Sequence, residues 1–191
     1  MKRLSLTLVS CLMLFWASTC RNGTGPDDDD DDDVIRDPRE YTWTVDTLAF
    51  GPQTAMTAIW GSSPTDVYAV GHNALYTGKM FHYNGEKWRN VDYTTFVGGV
   101  ADDLRDVLGF AEDDVWAVGV HSYRNPDPPP NFIDSAMVLH YDGTGWREVK
   151  TPSVPGLMAI GGSGPQDIWA GGLYGTLLHY DGNAWTPDSI P

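Results

Sequence analysis

Short runs of β-branched, aromatic and other apolar residues alternate with clusters of Gly, Ser, Pro, Asn and Asp over most of the chain, and the alternation repeats. The first pair of runs reads "AIWGSSPTDVYAVG" at 58–71, "DVLGFAEDDVWAVG" at 106–119 and "AIGGSGPQDIWAGG" at 159–172. Each pair is followed by a near-identical phrase: "MFHYNGEKW" at 80–88, "VLHYDGTGW" at 138–146 and "LLHYDGNAW" at 177–185. Runs of four to eight such residues bounded by turn residues predict strands, and each unit holds four of them, the fourth starting at Trp88, Trp146 or Trp185. Asn84-Gly85, Asp142-Gly143 and Asp181-Gly182 predict tight hairpins between the third and fourth strands, because Gly accepts positive φ and the Asx side chain bonds its own turn backbone.

Four antiparallel strands repeated at about 40–50 residues pack radially as blades, so the pattern predicts an all-β fold, a β-propeller with blades over 58–96, 106–150 and 159–191. A plain sandwich would leave the repetition unexplained. "YTWTVDTL" at 41–48, whose Trp43 matches the three blade tryptophans, reads as one extra strand. It is expected at the outer edge of a mostly absent fourth blade, or packed on the first. Three full blades and one strand make an incomplete propeller with two open flanks, since closed rings generally need at least four blades; a longer natural chain that continues with further units is the expected completion, and assembly of two or more copies is the other reading.

The elements "DVYAVG", "DVWAVG" and "HYDGxxW" resemble repeats of exported bacterial β-propeller proteins over residues 43–191, and "AGGLYGTLLHYDGNAW" resembles a kelch blade in part. His82, His140 and His179 fall at one equivalent position, as do Asp66, Asp114 and Asp167. Chemistry is done once per site, so residues present in triplicate are expected to hold the architecture. The three repeat tryptophans are expected to pack between blades.

The N-terminal segment sets the address. "MKRLSLTLVSCLMLFWASTC" places two cations before an apolar run and then small residues before Cys20, the pattern of a secretory leader over 1–20. The run is shorter than the roughly 20 residues a membrane span needs. The segment also resembles a bacterial lipoprotein leader, which implies Cys20, rather than Cys11, as the lipidated residue, with plain cleavage as the other reading. The resemblance implies an outer-membrane or cell-surface location, with the membrane reached through the lipid only. Residues 21–40, with seven consecutive Asp at 27–33, predict an extended solvated tether; a weak Ca²⁺-collecting tract and a surface-export tag are two other readings.

Charge and cysteine usage narrow the function. The net charge of −14 and the lack of a Lys/Arg cluster beyond Lys2-Arg3 exclude a nucleic-acid partner. Only Cys11 and Cys20 are present, so no disulfide staples the repeat region. No HExxH, GxSxG, P-loop or paired Cys/His spacing appears; the sequence thus predicts no catalytic residues, no metal site and no cofactor.

Function is therefore expected where the units differ, in the links after their second and fourth strands. The second-to-third link spans about ten residues (72–81), about twenty (120–139) and about six (173–178), and "VDYTTFVGGVADDL" at 91–104 lengthens the approach to the second unit. "VHSYRNPDPPPNFIDSA" at 120–136 offers His121, Tyr123, Arg124, Asn125, Asp127, Phe132 and Asp134 among prolines that restrict the loop. Aromatic, amide, guanidinium and carboxylate groups together suit a glycan or a protein partner. His121 with Asp127 or Asp134 can also be drawn as a general-base pair, the enzyme alternative. A scaffold in an envelope assembly, or a tolerated insertion in this loop, are the structural alternatives.

Overall fold

The computed structural model describes residues 42, 44–48, 54–72, 79–93 and 101–188. The leader, the whole tether at 21–40 and Trp43 lie outside the described residues, and so does Cys20. The described chain from Val45 onward is built from three four-stranded antiparallel sheets, each in the simple order of its strands along the sequence. The first blade comprises β1 (Ala55–Ser63), β2 (Asp66–His72), β3 (Met80–Tyr83) and β4 (Trp88–Asn90). The second comprises β5 (Ala101–Ala111), β6 (Asp114–Arg124), β7 (Phe132–Tyr141) and β8 (Trp146–Glu148). The third comprises β9 (Leu157–Gly164), β10 (Asp167–Gly172), β11 (Leu177–Tyr180) and β12 (Trp185–Asp188). Up-and-down sheets of this kind, stacked face against face in chain order, are blades of a β-propeller.

The repeated phrase is explained by its turn. Asn84 Oδ1 accepts hydrogen bonds from the backbone N–H of Glu86 and Lys87, at 3.2 and 3.1 Å, and Asp181 Oδ1 accepts those of Asn183 and Ala184, both at 2.9 Å. In the first two blades the tyrosine before the turn reaches over it: Tyr83 Oη donates to Gly85 O at 2.9 Å and Tyr141 Oη to Gly143 O at 3.2 Å. Gly182 has φ +90°, where L side chains are strained, and a Cβ there would stand 2.8 Å from Gln166 Cγ. The third-to-fourth-strand turn thus rests on the turn between the first and second strands. Gly182→Ala is expected to lower the unfolding free energy by about 1–3 kcal/mol, measured by urea unfolding, mostly from the backbone since the glutamine can move aside.

Inside each blade the histidine and aspartate form one unit with an aromatic ring. His140 Nε2 lies 2.8 Å from Asp114 Oδ1, which also accepts the indole N–H of Trp116 at 2.9 Å, and the imidazole stacks on that indole with centroids 3.9 Å apart. The third blade repeats this with His179, Asp167 and Trp169, at 2.9, 3.1 and 4.2 Å. In the first, His82 bonds Asp66 at 2.5 Å and stacks on Tyr68 at 4.4 Å. The Ser163 hydroxyl, and then His179, hold the Asp167 carboxyl below the usual carboxylate range.

Between blades the fourth-strand tryptophan crosses over. Trp146 meets Tyr68 of the first blade edge-on at 5.4 Å, and Trp185 meets Trp116 of the second at 6.0 Å. Around the first crossing Val70, Met80, Leu104, Val115, Met137 and Leu139 are fully buried; around the second, Val118, Val138, Leu157, Ile168 and Leu178 are. Asp106 ties the second and third blades, accepting the Ile160 N–H at 2.9 Å.

Two expectations differ from this structure. No strand forms at residues 42 and 44–48; instead Asp46, Thr47 and Leu48 line a cleft beside Phe81, Tyr83 and Trp88 of the first blade. Residues 46–48 lie against the first blade without joining its ladder. The second difference is the link at 120–139, which is mostly strand: β6 and β7 stay paired from Val115↔Tyr141 out to Arg124↔Phe132, and only 125–131 connects them. The approach at 91–104 is likewise shortened by β5, which begins at Ala101.

Candidate functional site

The second blade outgrows its neighbours at one end. β2 and β3 pair only from Val67↔Tyr83 to Val70↔Met80, and β10 and β11 from Ile168↔Tyr180 to Gly171↔Leu177. In the second blade β6 continues through His121, Ser122, Tyr123 and Arg124 against Ser135, Asp134, Ile133 and Phe132, while β5 adds Ala101, Asp102 and Asp103 on the other side of β6. The result is a tongue, three-stranded at its base and two-stranded at its tip.

Strand alternation sorts the expected residues onto two faces. His121 and Tyr123 share the face of Val115 and Ala117, which pack on the first blade. Arg124, Phe132 and Asp134 share the opposite face with Val118 and Val138, which pack on the third. Asn125 and Asp127 belong to the turn. The seven residues therefore do not converge on one point.

On the outer face of the tongue the side chains brace one another. Ser122 Oγ donates to Asp134 Oδ1 at 2.5 Å, and the Arg124 guanidinium lies over the Phe132 ring, 5.9 Å from its centroid. Phe132 remains 49% exposed. The turn is held by Asn125: its N–H donates to Asn131 O at 3.0 Å, its Nδ2 to Pro130 O at 2.8 Å and Asp127 O at 3.2 Å, and its Oδ1 accepts the Asp127 N–H at 3.0 Å. An exposed turn with this many internal bonds loses little freedom on meeting a partner.

On the inner face His121 is buried, with Nδ1 2.6 Å from Asp102 Oδ1. The drawn pairing with Asp127 or Asp134 is not formed: Asp134 sits on the opposite face with Ser122, and Asp127 lies in the turn with Asn125. Below the His121–Asp102 pair, Lys79 is buried; loss of water pulls its ammonium pKa down, and the Asp102 and Asp103 carboxylates oppose that shift. Burial pushes the Tyr93 hydroxyl up, with the same two carboxylates adding to it. Arg105 pairs with Asp103 at 3.1 Å. This cluster of opposite charges joins the base of the tongue to the first blade. Sequence reasoning missed it: Lys79 and Tyr93 come from linking segments, and "ADDL" at 101–104 was assigned to a link, though two adjacent carboxylates within a Val/Leu context were the available signal.

Among the described residues no group of three or more His, Cys, Asp or Glu is placed to hold a metal ion. One cleft lies on the outer flank of the first blade, around Leu48, Met56, Ile59, Ala69 and Trp88.

The fold and its rim define a β-propeller repeat protein with one elaborated blade. No family model matches the chain. Over 67 residues it is 33% identical to the Immune protein Tsi7 of Pseudomonas aeruginosa, a match that covers 31% of this chain and 22% of that protein. The chain thus spans under a quarter of the length of that curated relative. It is also similar to a solved structure described as YCF48 bound to D1 peptide, with a TM-score of 0.45 and 16% identity, over 75% of this chain and 46% of that one.

Proposed function

We propose that the chain is an exported binding module, anchored at the cell surface through a lipid on Cys20, that offers the tongue of its second blade to a protein partner. The observation that carries this reading is the tongue itself: one blade of three projects a paired, internally braced hairpin with Arg124, Phe132 and Asp134 on its outer face. Sugars and other small ligands are held in concave pockets, whereas an exposed hairpin with an aromatic–arginine pair suits a protein surface. The acidic stretch at 27–33 would keep the module clear of the membrane by self-repulsion.

The test is a cross-linked pull-down from envelope extracts of the host with the full chain, alongside a glycan array. Retention of one protein at stoichiometric yield, lost in Arg124→Ala/Phe132→Ala, supports the reading; sugar binding that survives this double variant overturns it. For the address, Cys20→Ser is expected to release the chain from membranes into the soluble fraction. If Cys11→Ser releases it and Cys20→Ser does not, the anchor lies at the other cysteine.

A further inference from the structure

Two sets of backbone contacts fix which way the peptide groups of β7 point along the tongue. At the tip the Asn125 N–H donates to Asn131 O at 3.0 Å, so Asn131 faces β6, and Ile133 and Ser135 face it with the same parity. At the base the Ala136 N–H donates to Val154 O at 2.9 Å and Val138 O accepts the Val149 N–H at 2.8 Å, both away from β6. The pairing runs residue for residue from Val115↔Tyr141 to Arg124↔Phe132, so the alternation holds throughout and the N–H and C=O of Phe132 and Asp134 also point away. The side chains agree. Ser122 with Asp134 and Arg124 with Phe132, the two touching pairs, fall at the positions without cross-strand hydrogen bonds, where facing side chains stand closest.

The base of this edge is already in use. Residues 149–154 run antiparallel to β7, bonding Val138 and Ala136, and then turn off through Pro155 and Gly156 into β9. Beyond Val154 no described residue pairs with the outward peptide groups of Phe132 and Asp134. Folded proteins commonly blunt such an edge with proline, lysine, a bulge or a covering loop. Here the prolines stop at Pro130, the pairing carries no bulge, and the one charge on the edge, Asp134, is drawn across to Ser122. The edge presents exposed Phe132 and Asp134 on one face and half-buried Ile133 and Ser135 on the other.

We propose, resting on the reading of the tongue as the contact surface, that the partner protein engages it by laying an extended segment antiparallel along this free edge of β7, in hydrogen-bonded register with Asp134 and Phe132. The added strand continues the ladder that residues 149–154 begin, and main-chain bonds supply the contact while alternate side chains supply the selection. The partner residue facing Asp134 is Lys or Arg, which forms an opposite-charge cross-strand pair and suits a chain of net charge −14. The residue facing Phe132 comes two positions later in an antiparallel strand and is aromatic or β-branched. The segment therefore reads basic–x–aromatic within a run of strand-forming residues.

The probe is the end-capped peptide Ser-Thr-Arg-Val-Tyr-Val-Thr-Ser, dye-labelled and titrated by fluorescence anisotropy against the full chain in a non-ionic detergent that masks the apolar run at 4–16. Saturable binding is expected. N-methylation of the peptide's Tyr, whose amide points at β7, should weaken it about tenfold, and N-methylation of the Val between Arg and Tyr, whose amide points away, should leave it unchanged. On the chain, Asp134→Pro removes an outward amide where an edge strand tolerates proline, so it should fold, checked by circular dichroism and melting. Asp134→Ala controls for the lost carboxylate, and the proline variant should bind about tenfold more weakly than the alanine variant. The Phe132 and Asp134 amides should exchange hydrogen fast in the free chain and slowly with saturating peptide. No peptide binding, equal effects of the two N-methylations, equal affinities of the two Asp134 variants, or amides protected in the free chain would each overturn the proposal. In the envelope pull-down, a partner lost by Arg124→Ala/Phe132→Ala but held equally by both Asp134 variants overturns strand addition and leaves the tongue standing as the contact surface; a partner held by Arg124→Ala/Phe132→Ala overturns that reading itself.

Discussion

Trp146→Ala should lower the unfolding free energy by about 3–5 kcal/mol, the range for truncating a buried large aromatic. The indole is buried, meets Tyr68 edge-on at 5.4 Å and packs on Tyr141 at 5.7 Å, so its removal opens a hole between the first and second blades rather than at a surface. The stack of His82 on Tyr68 loses its lid, and the fully buried Val70 and Leu139 line the void. Urea unfolding followed by tryptophan fluorescence gives the number. Trp88→Ala is the internal control: it should cost well under half as much, because among the described residues no blade covers Trp88 as the first blade covers Trp146, and its indole is only half-buried. Equal losses at the two positions would show that the tryptophan stabilises its own blade and not the junction.

The second large effect is on binding. Replacing residues 124–132 by Asn-Gly, so that a two-residue turn joins the paired Tyr123 and Ile133, should abolish partner capture while changing stability by no more than about 0.5 kcal/mol. The cut must stop there. Excision of the whole 120–136 stretch would also remove Val120, His121 and Ala136, all buried, and with them the pairing to Asp102 and the contact of Val120 with Gly156. Undiminished capture by the short-turn variant, with folding intact, would remove the tongue from consideration as the contact surface.

The blades were legible because their signals are local and threefold. Asx-Gly before a tryptophan specifies a hairpin from backbone conformation alone, and three copies of it turn a weak signal into a period. The role of the His-Asp pair could be anticipated only as architecture; its partner, the aromatic ring at 116 or 169, depends on which second-strand side chains share a face. The tongue was hidden for a physical reason. Beyond Val120 and Ala136 the strands run past both neighbouring blades, so no apolar layer marks their faces and "HSYRN" reads as a loop. What keeps these residues extended is pairing across the hairpin, Ser122 to Asp134 and Asn125 to the 130–131 backbone, which are contacts between positions that no periodicity connects. The split of the seven expected residues between two faces and a turn follows from the same cause: once the segment is strand, alternation separates neighbours that a loop could have gathered. The extra strand was read from Trp43, which matches the blade motif in sequence, whereas the described residues 44–48 are not strand and 46–48 lie beside the first blade outside its ladder.

One feature of the blades bears on how such a chain could have grown. The aspartate, histidine and aromatic ring close entirely within a single unit, as does the Asx-Gly turn with its overlying tyrosine, whereas the tryptophan is spent on the unit before it. A duplicated stretch of gene encoding one unit would therefore deliver a sheet whose internal fastenings are already complete, together with an outward tryptophan that fits a predecessor of the same kind. Copy number could change by whole units without a compensating substitution elsewhere, and one copy, such as the second, could lengthen its strand ends into new chemistry while its neighbours went on holding the stack.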